Sequence, residues 1–285
     1  MDAVGVTPFL PLFVPANRPE RIAKAARSGA DAVVVDLEDA VAADGKEAAR
    51  RALREALGDD GMDRTGWAPV LVRINGADSA HFQGDLDALR ALTVDGAMLP
   101  KTEAGGALAA VRQALPQGAA LIALIETARG LADARELAQA ADRLAFGSID
   151  FAGALGAAHG REALLHARSE IVLAAALAGA PAPLDGVTAV IDEAETIEAD
   201  ARYAASLGFR GKLLIHPHQI APALRGFAPE EAAVERAHRL LESADGDAAR
   251  FEGAMIDRPV IEAARQTVES GERIARRLAQ MQERT

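Results

Sequence analysis

Short apolar runs alternate with longer amphipathic segments along most of the chain. Eight runs rich in valine, isoleucine and leucine are typical of buried β-strands, and they lie at 12–14, 32–35, 70–74, 97–99, 121–125, 144–146, 186–190 and 213–215. Segments with helical periodicity follow most of them, at 18–28, 46–57, 82–92, 104–115, 129–140, 162–178 and 193–206. This alternation predicts parallel strands joined by crossover helices, the α/β class.

Eight such units predict closure into a (β/α)₈ barrel of the TIM type, which we place at residues 1–225. Pro11 cannot donate a hydrogen bond within a sheet, so the first strand is predicted to begin after it. Residues 226–285 exceed what one closing helix needs. Helical patterns at 230–243 and 260–278 predict that this part is a C-terminal helical extension, and no change in composition marks it as a second globular domain.

Composition narrows the possible functions. The 285 residues carry a net charge of −11, which argues against broad binding of nucleic acid. No uncharged apolar run of about 18 residues is present and no N-terminal signal pattern, so we expect neither a membrane span nor a signal peptide. The absence of cysteine excludes disulfides, thiolate zinc sites and a cysteine nucleophile. It fits a reducing compartment, so we expect a cytoplasmic protein.

Polar and charged residues follow nearly all of the predicted strands at their carboxyl ends. In (β/α)₈ barrels the active site lies at this face. The motifs found there are VPANRPER (14–21), VDLEDA (35–40), VRING (72–76), LPK (99–101), IETARG (125–130), FGSID (146–150), VID (190–192) and IHP (215–217). A barrel that needed such groups only for hydration would distribute them over both faces. Their concentration therefore predicts an active site.

Glu126 and Asp150 are the strongest candidates for metal ligands. Each follows a buried strand, and the two strands are successive along the chain, so both carboxylates could reach one cation. Mg²⁺ prefers oxygen ligands and often takes one or two carboxylates together with waters and substrate. Acidic residues are also favoured at the start of helices, so a capping role explains the same positions equally well. The residues alone leave both interpretations open.

Charged residues after the second and third strands also have two interpretations. Asp36, Glu38 and Asp39 form an acidic cluster that either lies in solvent at a helix start or shares a bound cation or waters. Arg73 lies among apolar neighbours, so it needs carboxylate partners. It either forms a structural salt bridge to Asp36 or Glu38, or grips a carboxylate or carbonyl of a substrate, and both roles could hold together.

Basic residues follow the first predicted strand. Arg18, Arg21 and Lys24 lie at a helix start, an arrangement that suits phosphate or another anion, although a solvated helix surface explains them equally well. Lys101 has the same two interpretations. His216 could act as a base, but its position before a proline at a strand end favours a structural role. Walker, G-x-G-x-x-G, H-E-x-x-H and G-x-S-x-G motifs are absent.

Seven motifs, taken in order, resemble the citrate lyase β-subunit-like family of the HpcH/HpaI aldolase superfamily, which includes malyl-CoA and citramalyl-CoA lyases. They are LFVPANRPERIAKAARSGADAVVVDLEDAV (12–41), LVRIN (71–75), LPKTE (99–103), ALIETARG (123–130), LAFGSIDF (144–151), IHPHQI (215–220) and GAMIDRP (253–259). The match extends from residue 9 to about residue 270. The resemblance implies a TIM barrel, usually trimeric, that breaks or forms a carbon–carbon bond next to an acyl thioester with Mg²⁺.

The resemblance also implies roles for individual residues around the predicted site. Glu126 and Asp150 match the magnesium ligands of the family. Arg73 matches the arginine that contacts the 2-oxo acid and stabilises negative charge. Glu38 and Asp39 match acids that hold metal-bound waters.

Three further residues acquire roles from the same resemblance. Arg18, and less closely Lys24, match a basic region near the phosphates of CoA or of an acyl carrier. Asp257 matches an acid/base on a C-terminal lid that closes over the active site of a neighbouring subunit. Gly246 and Gly253, in the link between the two C-terminal helices, predict a hinge for this lid.

Together these observations predict a Mg²⁺-dependent lyase that acts on a citryl, malyl or citramalyl type of thioester, and the resemblance implies that it is a homotrimer. The thioester is carried on CoA or on an acyl-carrier protein, and the products are an acyl thioester and a 2-oxo acid. Alternatives are a class II aldolase of free 2-oxo acids and a non-catalytic subunit of a lyase complex. The presence of Glu126, Asp150, Arg73 and Asp257 counts against a non-catalytic subunit. Ala154 stands where many relatives have an acidic residue, which leaves the choice of thioester open.

Overall fold

Six strands form one parallel sheet in chain order. The structure is a computed structural model, and it describes residues 9–58, 62–243, 250–251, 254–255 and 257–282. The strands are β1 (Pro11–Pro15), β2 (Ala32–Asp36), β3 (Val70–Arg73), β4 (Gly96–Leu99), β5 (Ala120–Ile125) and β6 (Arg143–Phe146). Each pairs in parallel with its neighbour along the chain. This order confirms the predicted α/β class.

Neither of the runs predicted as strands seven and eight forms a strand: isolated parallel bridges lie at 184–185, just before the seventh run, and at 211, 212 and 214, around the start of the eighth. Pro181 and Pro183 lack the N–H that a ladder requires, which shortens pairing before the predicted run at 186–190. After the last bridge the backbone N–H of Ile215 donates to Gln219 Oε1 at 2.9 Å instead of to a neighbouring strand. The sheet is therefore a curled half-barrel of six strands, and the bridges are Ala145–Leu184, Asp185–Lys212, Leu12–Leu214 and Phe9–Gly211.

Twelve α-helices lie within the described ranges. They are α1 (Ile22–Ala26), α2 (Lys46–Leu57), α3 (Phe82–Leu89), α4 (Ala107–Ala114), α5 (Ala128–Ala132), α6 (Ala134–Ala140), α7 (Ser148–Leu155), α8 (Leu165–Leu177), α9 (Ala194–Leu207), α10 (Ile220–Phe227), α11 (Glu231–Ser243) and α12 (Arg258–Gln282). The helix predicted at 129–140 is divided at Asp133 into α5 and α6. Helices α7 and α10 were not predicted, and α7 begins only two residues after β6. Asp150 is consequently a residue of the first turn of a helix.

Both faces of the sheet are buried, which explains why its strands are continuous apolar runs. Val34 packs in the inner cluster, together with Leu71, Met98 and Ile122. Its neighbours Val33 and Val35 point the other way, into the cluster between the sheet and the helices. The carboxyl ends of the strands thus lie at one edge of a sheet that is buried on both faces.

The C-terminal extension is anchored to the face opposite the strand carboxyl ends. Helices α11 and α12 share a small apolar cluster that includes Leu240 and Ala264. Near the end of α12, Arg277 forms an ion pair with Asp31 at 2.9 Å and donates to the carbonyl oxygen of Gly29 at 2.7 Å. Between these helices lies a short hairpin of β7 (Arg250–Phe251) and β8 (Ala254–Met255).

Two predictions about this extension are left as predictions. The hinge glycines at 246 and 253 lie outside the described residues, and the division of the chain at 225/226 is not tested by the fold. No helix in the described part of the chain is long and apolar enough to cross a membrane.

Candidate functional site

A cavity of about 460 Å³ opens at the carboxyl ends of the strands. The sheet brings residues to it from β1, β2, β3, β5 and β6 and from the turns that follow them. The parallel order thus brings residues that are far apart in sequence to one cavity. Its lining includes Phe13, Asp36, Asp39, Arg73, Glu126, Gly147, Ser148 and Asp150.

Arg73, the last residue of β3, is held in one orientation by carboxylates. It pairs in register with Asp36 of β2, and its Nε and Nη2 donate to the two carboxylate oxygens of Asp36, each at 2.7 Å. Its Nη1 lies 3.0 Å from Glu38 Oε2, and its guanidinium lies 5.0 Å from the centre of the Phe13 ring. Burial opposes the charge of Arg73, but the hydrogen bonds and charge of Asp36 raise the pKa of Arg73 above its ordinary value. The guanidinium is therefore a fixed positive charge in the cavity wall.

Asp36 is fully engaged by the protein. Besides the fork of Arg73, its carboxylate accepts hydrogen bonds from the backbone N–H groups of Glu38 at 2.8 Å and Ala40 at 3.0 Å. A carboxylate with four donors has little capacity left for a cation. Asp36 consequently acts as a support for Arg73 and for the turn after β2.

Glu126, directly after β5, has one carboxylate oxygen satisfied and one not. Its side chain is almost wholly buried, Oε1 accepts the backbone N–H of Lys101 at 2.8 Å, and the buried Oε2 has no hydrogen-bond partner. Burial, followed by the charge of Glu38, raises the pKa of Glu126 to about 8, although Lys101 opposes the shift. An unpartnered buried carboxylate oxygen is costly, and a cation would relieve that cost.

Asp150 lines the same cavity as Glu126, but its side chain is exposed. It lies in the first turn of α7, and its charge contributes to the raised pKa of Glu126. Both interpretations of Asp150, helix start and metal ligand, are therefore compatible with its place.

The carboxylate oxygens that line this cavity are suitable ligands for Mg²⁺. Two carboxylates face one cavity, and Oε2 of Glu126 is a buried oxygen without a partner. Among the described residues no group of three or more histidine, cysteine, aspartate or glutamate side chains is placed to hold a metal ion. An ion held by Glu126 and Asp150 would take its other ligands from waters and substrate, as Mg²⁺ commonly does.

Glu38 connects the arginine to a lysine. One of its carboxylate oxygens pairs with Arg73, and the other accepts a hydrogen bond from the ammonium of Lys101. Burial raises the pKa of Glu38, while Arg73 and Lys101 oppose the rise. Asp39 is more exposed, and one of its oxygens lies 3.4 Å from Arg73 Nη2. The acidic cluster after β2 is thus tied to the cavity and is not a wholly solvated loop.

A second cavity of about 480 Å³ adjoins the first and shares Asp39 with it. Sequence reasoning missed two of its polar residues, Lys46 and Asn75. The buried ammonium of Lys46 donates to the carbonyl oxygens of Leu37 and Glu38 and to Asn75 Oδ1, at 2.6–2.8 Å. The helical spacing could have identified Lys46 as buried, because position 46 lies on the same buried side of α2 as Ala49 and Leu53.

Three of the predicted site residues lie away from these cavities. Arg18 and Lys24 are exposed, and Arg18 pairs with Glu20 at 2.6 Å. Asp257 is exposed just before α12 and accepts the backbone N–H of Val260 at 3.2 Å. None of the three is among the residues that line either cavity. A single chain therefore brings together Glu126, Asp150, Arg73, Glu38 and Asp39, but not Arg18, Lys24 or Asp257.

His216 has the structural role that its position favours. Its Nδ1 accepts the backbone N–H of His218 at 3.3 Å and so caps the turn that precedes α10. Gln219 completes the same turn by accepting from the backbone of Ile215 and His216.

A family model confirms the family that the sequence motifs indicate. The model described as HpcH/HpaI aldolase/citrate lyase matches residues 10–217, which is more than half of the chain. The chain belongs to this family. The HpcH/HpaI match covers the whole half-barrel and every residue named in the two cavities, whereas Asp257 lies beyond it.

Relatives in the HpcH/HpaI family match nearly the full chain. A citrate lyase subunit beta-like protein of Deinococcus radiodurans is 39% identical over 270 residues, which cover 89% of this chain and 94% of that protein. A (3S)-malyl-CoA thioesterase of Cereibacter sphaeroides is 34% identical over 274 residues, 93% of this chain and 94% of that protein. The crystal structure of CitE from Mycobacterium tuberculosis in complex with magnesium, acetoacetate and coenzyme A has a TM-score of 0.79 and 36% identity. It covers 94% of this chain and 100% of that one.

Proposed function

We propose that this protein is a Mg²⁺-dependent carbon–carbon lyase. Its substrate would be a short β-hydroxyacyl thioester, and its products an acyl thioester and a 2-oxo acid such as oxaloacetate, glyoxylate or pyruvate. The observation that carries the proposal is the buried, unpartnered Oε2 of Glu126, which lines the same cavity as Asp150 and Arg73. The magnesium, acetoacetate and coenzyme A in the structure of the related CitE support the same classes of cofactor and substrate.

Glu126 and Asp150 would hold the metal, and Glu38 and Asp39 would bind waters in its outer shell. When bound, Mg²⁺ supplies Lewis-acid polarisation of the 2-oxo acid carbonyl. Two observations support this assignment. Glu38 pairs with the Arg73 guanidinium, and it lines the second cavity together with Asp39, which also lines the first.

Arg73 would stabilise negative charge on the reacting 2-oxo acid. Cleavage between the α and β carbons of the thioester produces an enolate and a carbonyl compound, so negative charge moves during the reaction. A preorganised cation that needs no reorientation is an effective stabiliser of such charge. The bidentate pair with Asp36 and the contact with Phe13 hold the guanidinium in one place beside the cavity.

A proton must also be moved at the α-carbon, and we assign this step to Asp257 of a neighbouring subunit. A carboxylate on a lid can transfer the proton while the lid excludes water. Asp257 is exposed and lies outside the cavities of its own chain. The far end of α12 is held at the opposite face by Arg277. Both features favour action in trans within a homotrimer.

The remaining assignments complete this proposal. Arg18 and Lys24, exposed on the segment after β1, would contact phosphates of CoA or of an acyl carrier. The bridges at 184–185 and 211–214 would close the half-barrel into a (β/α)₈ barrel whose last two strands are very short. A cytoplasmic location remains our expectation.

The test is an assay of the purified protein with Mg²⁺ against citryl-, malyl-, β-methylmalyl- and citramalyl-CoA. The assay should measure the 2-oxo acid and free thiol separately, because a lyase releases 2-oxo acid and leaves the product thioester intact. Release of thiol without 2-oxo acid would contradict a lyase and indicate hydrolysis, the activity named for the relative from Cereibacter sphaeroides. Turnover of free 2-oxo acids without any thioester would favour the class II aldolase alternative. The same acyl groups on a carrier protein distinguish the two kinds of thioester.

A further inference from the structure

Lys101 has a backbone conformation that its residue type disfavours. Its φ is 48°, and among the described residues it is the one non-glycine position with positive φ. Pro100 precedes it, and turns with proline followed by a residue of positive φ usually take glycine at that second position. A left-handed lysine persists only where the surrounding structure imposes it, and such positions concentrate at functional sites.

The surrounding structure does impose this turn. The backbone N–H of Thr102 donates to Leu124 of the adjacent strand β5 at 3.1 Å, and its hydroxyl donates to the carbonyl oxygen of Leu99 at 2.6 Å. On the other side, Gly130 packs so closely that a Cβ there would lie 2.4 Å from the carbonyl oxygen of Thr102. Thr102, which directly follows Lys101, is therefore held by contacts with Leu99, Leu124 and Gly130, and these contacts constrain the backbone of Lys101.

The consequence is a contact with the candidate metal ligand. In this conformation the backbone N–H of Lys101 donates to Glu126 Oε1 at 2.8 Å, and Oε2 is left without a hydrogen-bond partner. The side chain of the same lysine reaches the second buried acid, because its ammonium hydrogen-bonds Glu38 and lies 3.8 Å from Glu126 Oε1. One residue thus engages both carboxylates, one of them through its backbone.

We propose that Lys101 is a positioning residue for Glu126. Its left-handed backbone directs an N–H at Oε1, so that the carboxylate is held in one rotation with Oε2 alone offered to a cation. Supporting contacts of this kind fix the orientation of a metal ligand before the metal arrives. The inference deepens the proposed function and rests on its magnesium site.

The test compares variants that all lack the ammonium and differ in the backbone at position 101. Lys101→Gly accepts positive φ and keeps the N–H. Lys101→Ala keeps the N–H but bears the cost of positive φ, and Lys101→Val bears a greater cost because it is β-branched. Lys101→Pro has no N–H and cannot adopt φ 48°. The measurements are Mn²⁺ affinity by calorimetry, the paramagnetic resonance spectrum of bound Mn²⁺, and the thermal midpoint of each variant.

Lys101→Gly is the reference variant for Mn²⁺ binding, because it lacks the ammonium as the other variants do but keeps the N–H and accepts positive φ. Lys101→Pro should bind at least about tenfold more weakly, which is the loss expected when a hydrogen bond to a charged group is removed. Lys101→Val should lie between them, and it carries the comparison if the proline variant does not fold. A change in the Mn²⁺ spectrum at an unchanged thermal midpoint would separate positioning from general stability.

Two other outcomes would contradict the positioning role of Lys101 or the metal site itself. Equal Mn²⁺ affinities in the glycine, valine and any folded proline variant would overturn the positioning role while leaving the metal site intact. Absence of Mn²⁺ binding by the unmodified protein would overturn the metal site of the proposed function, and the inference about Lys101 with it.

Discussion

Gly147 lies directly against Glu126: a Cβ at position 147 would come within 2.3 Å of Oε2 and 2.6 Å of Cβ of the glutamate. Glycine at this position therefore makes room for the candidate ligand. We predict that Gly147→Ala displaces Glu126 and weakens Mg²⁺ binding at least about tenfold, by calorimetry. The matched control is Gly153→Ala on α7, where a Cβ meets nothing within 4 Å. That control should retain binding and gain up to about 1 kcal/mol of stability from helix propensity.

Replacement of the candidate ligand itself separates metal binding from folding. Glu126→Gln should abolish Mg²⁺ binding and lyase activity, because an amide is a much weaker magnesium ligand than a carboxylate. Its thermal midpoint should not fall, since the substitution removes a buried carboxyl group, one of whose oxygens has no partner, without changing the shape of the side chain. Glu103→Gln is the matched control: Glu103 lies near the same turn and accepts the hydroxyl of Thr127 at 2.9 Å, but it lines neither cavity. Full activity of Glu126→Gln without added metal would contradict the site.

Arg73 should not tolerate lysine. Lys keeps the charge but cannot make the two parallel hydrogen bonds to Asp36 while also reaching Glu38. We predict that Arg73→Lys lowers kcat by about 10²-fold or more, the range found when a preorganised charge stabiliser is lost. Arg50→Lys is the control, because Arg50 is similarly buried and pairs with Asp85 at 2.8 Å outside both cavities. It should lower stability and leave kcat nearly unchanged. Equal kcat in Arg73→Lys and the unmodified protein would mean that Arg73 serves only as a point charge.

The raised pKa of Glu126 predicts a pH-dependent metal affinity. With a pKa of about 8, caused first by burial and then by the charge of Glu38, the carboxyl must lose a proton before it binds Mg²⁺. Affinity should rise about tenfold per pH unit from pH ~6 and level off near pH ~8. Calorimetry in two buffers of different ionisation enthalpy should detect about one proton released per ion at pH ~6. Affinity independent of pH over this interval would contradict the shift.

The same pKa has a consequence for the stability of the metal-free protein. Glu126 has a folded pKa of about 8 against an ordinary value of 4.5, so the folded state binds more protons than the unfolded state between these values. Its contribution therefore disfavours folding increasingly as pH rises from 4.5 to about 8. Denaturant unfolding without metal should show this decline, and Glu126→Gln should remove that part of it.

Asp257 provides a test of a shared active site. If it acts on a neighbouring subunit, the inactive variants Asp257→Ala and Glu126→Ala should recover part of the activity when unfolded, mixed and refolded together. Some sites in mixed trimers would then combine an intact metal ligand from one chain with an intact lid from another. Light scattering should find a trimer at the assay concentration. An active monomer, or no recovery in a sample containing mixed trimers, would place Asp257 over its own barrel.

Much of the fold could be predicted because both faces of the parallel sheet are buried. Continuous apolar runs then mark the strands, and six of the eight predicted runs are strands of the sheet. The last two predicted runs are not strands of the sheet, because Pro181, Pro183 and the turn held by Gln219 limit strand pairing there. Helix α7 was not predicted because its sequence, SIDFAGAL, continues the apolar character of β6 without a clear capping signal.

The sequence by itself determined which residues end the strands, and so it placed Asp36, Arg73 and Glu126 at one face. Only the tertiary structure decided what each does there. Asp36 and Arg73 are 37 residues apart, and Lys101 and Glu126 are 25 apart, so their hydrogen bonds exist only once the strands are paired. Pairing saturates Asp36, fixes Arg73 and leaves Oε2 of Glu126 unpartnered. The physical reason is that burial and hydrogen-bond supply depend on neighbours in space, which the linear order of residues does not specify.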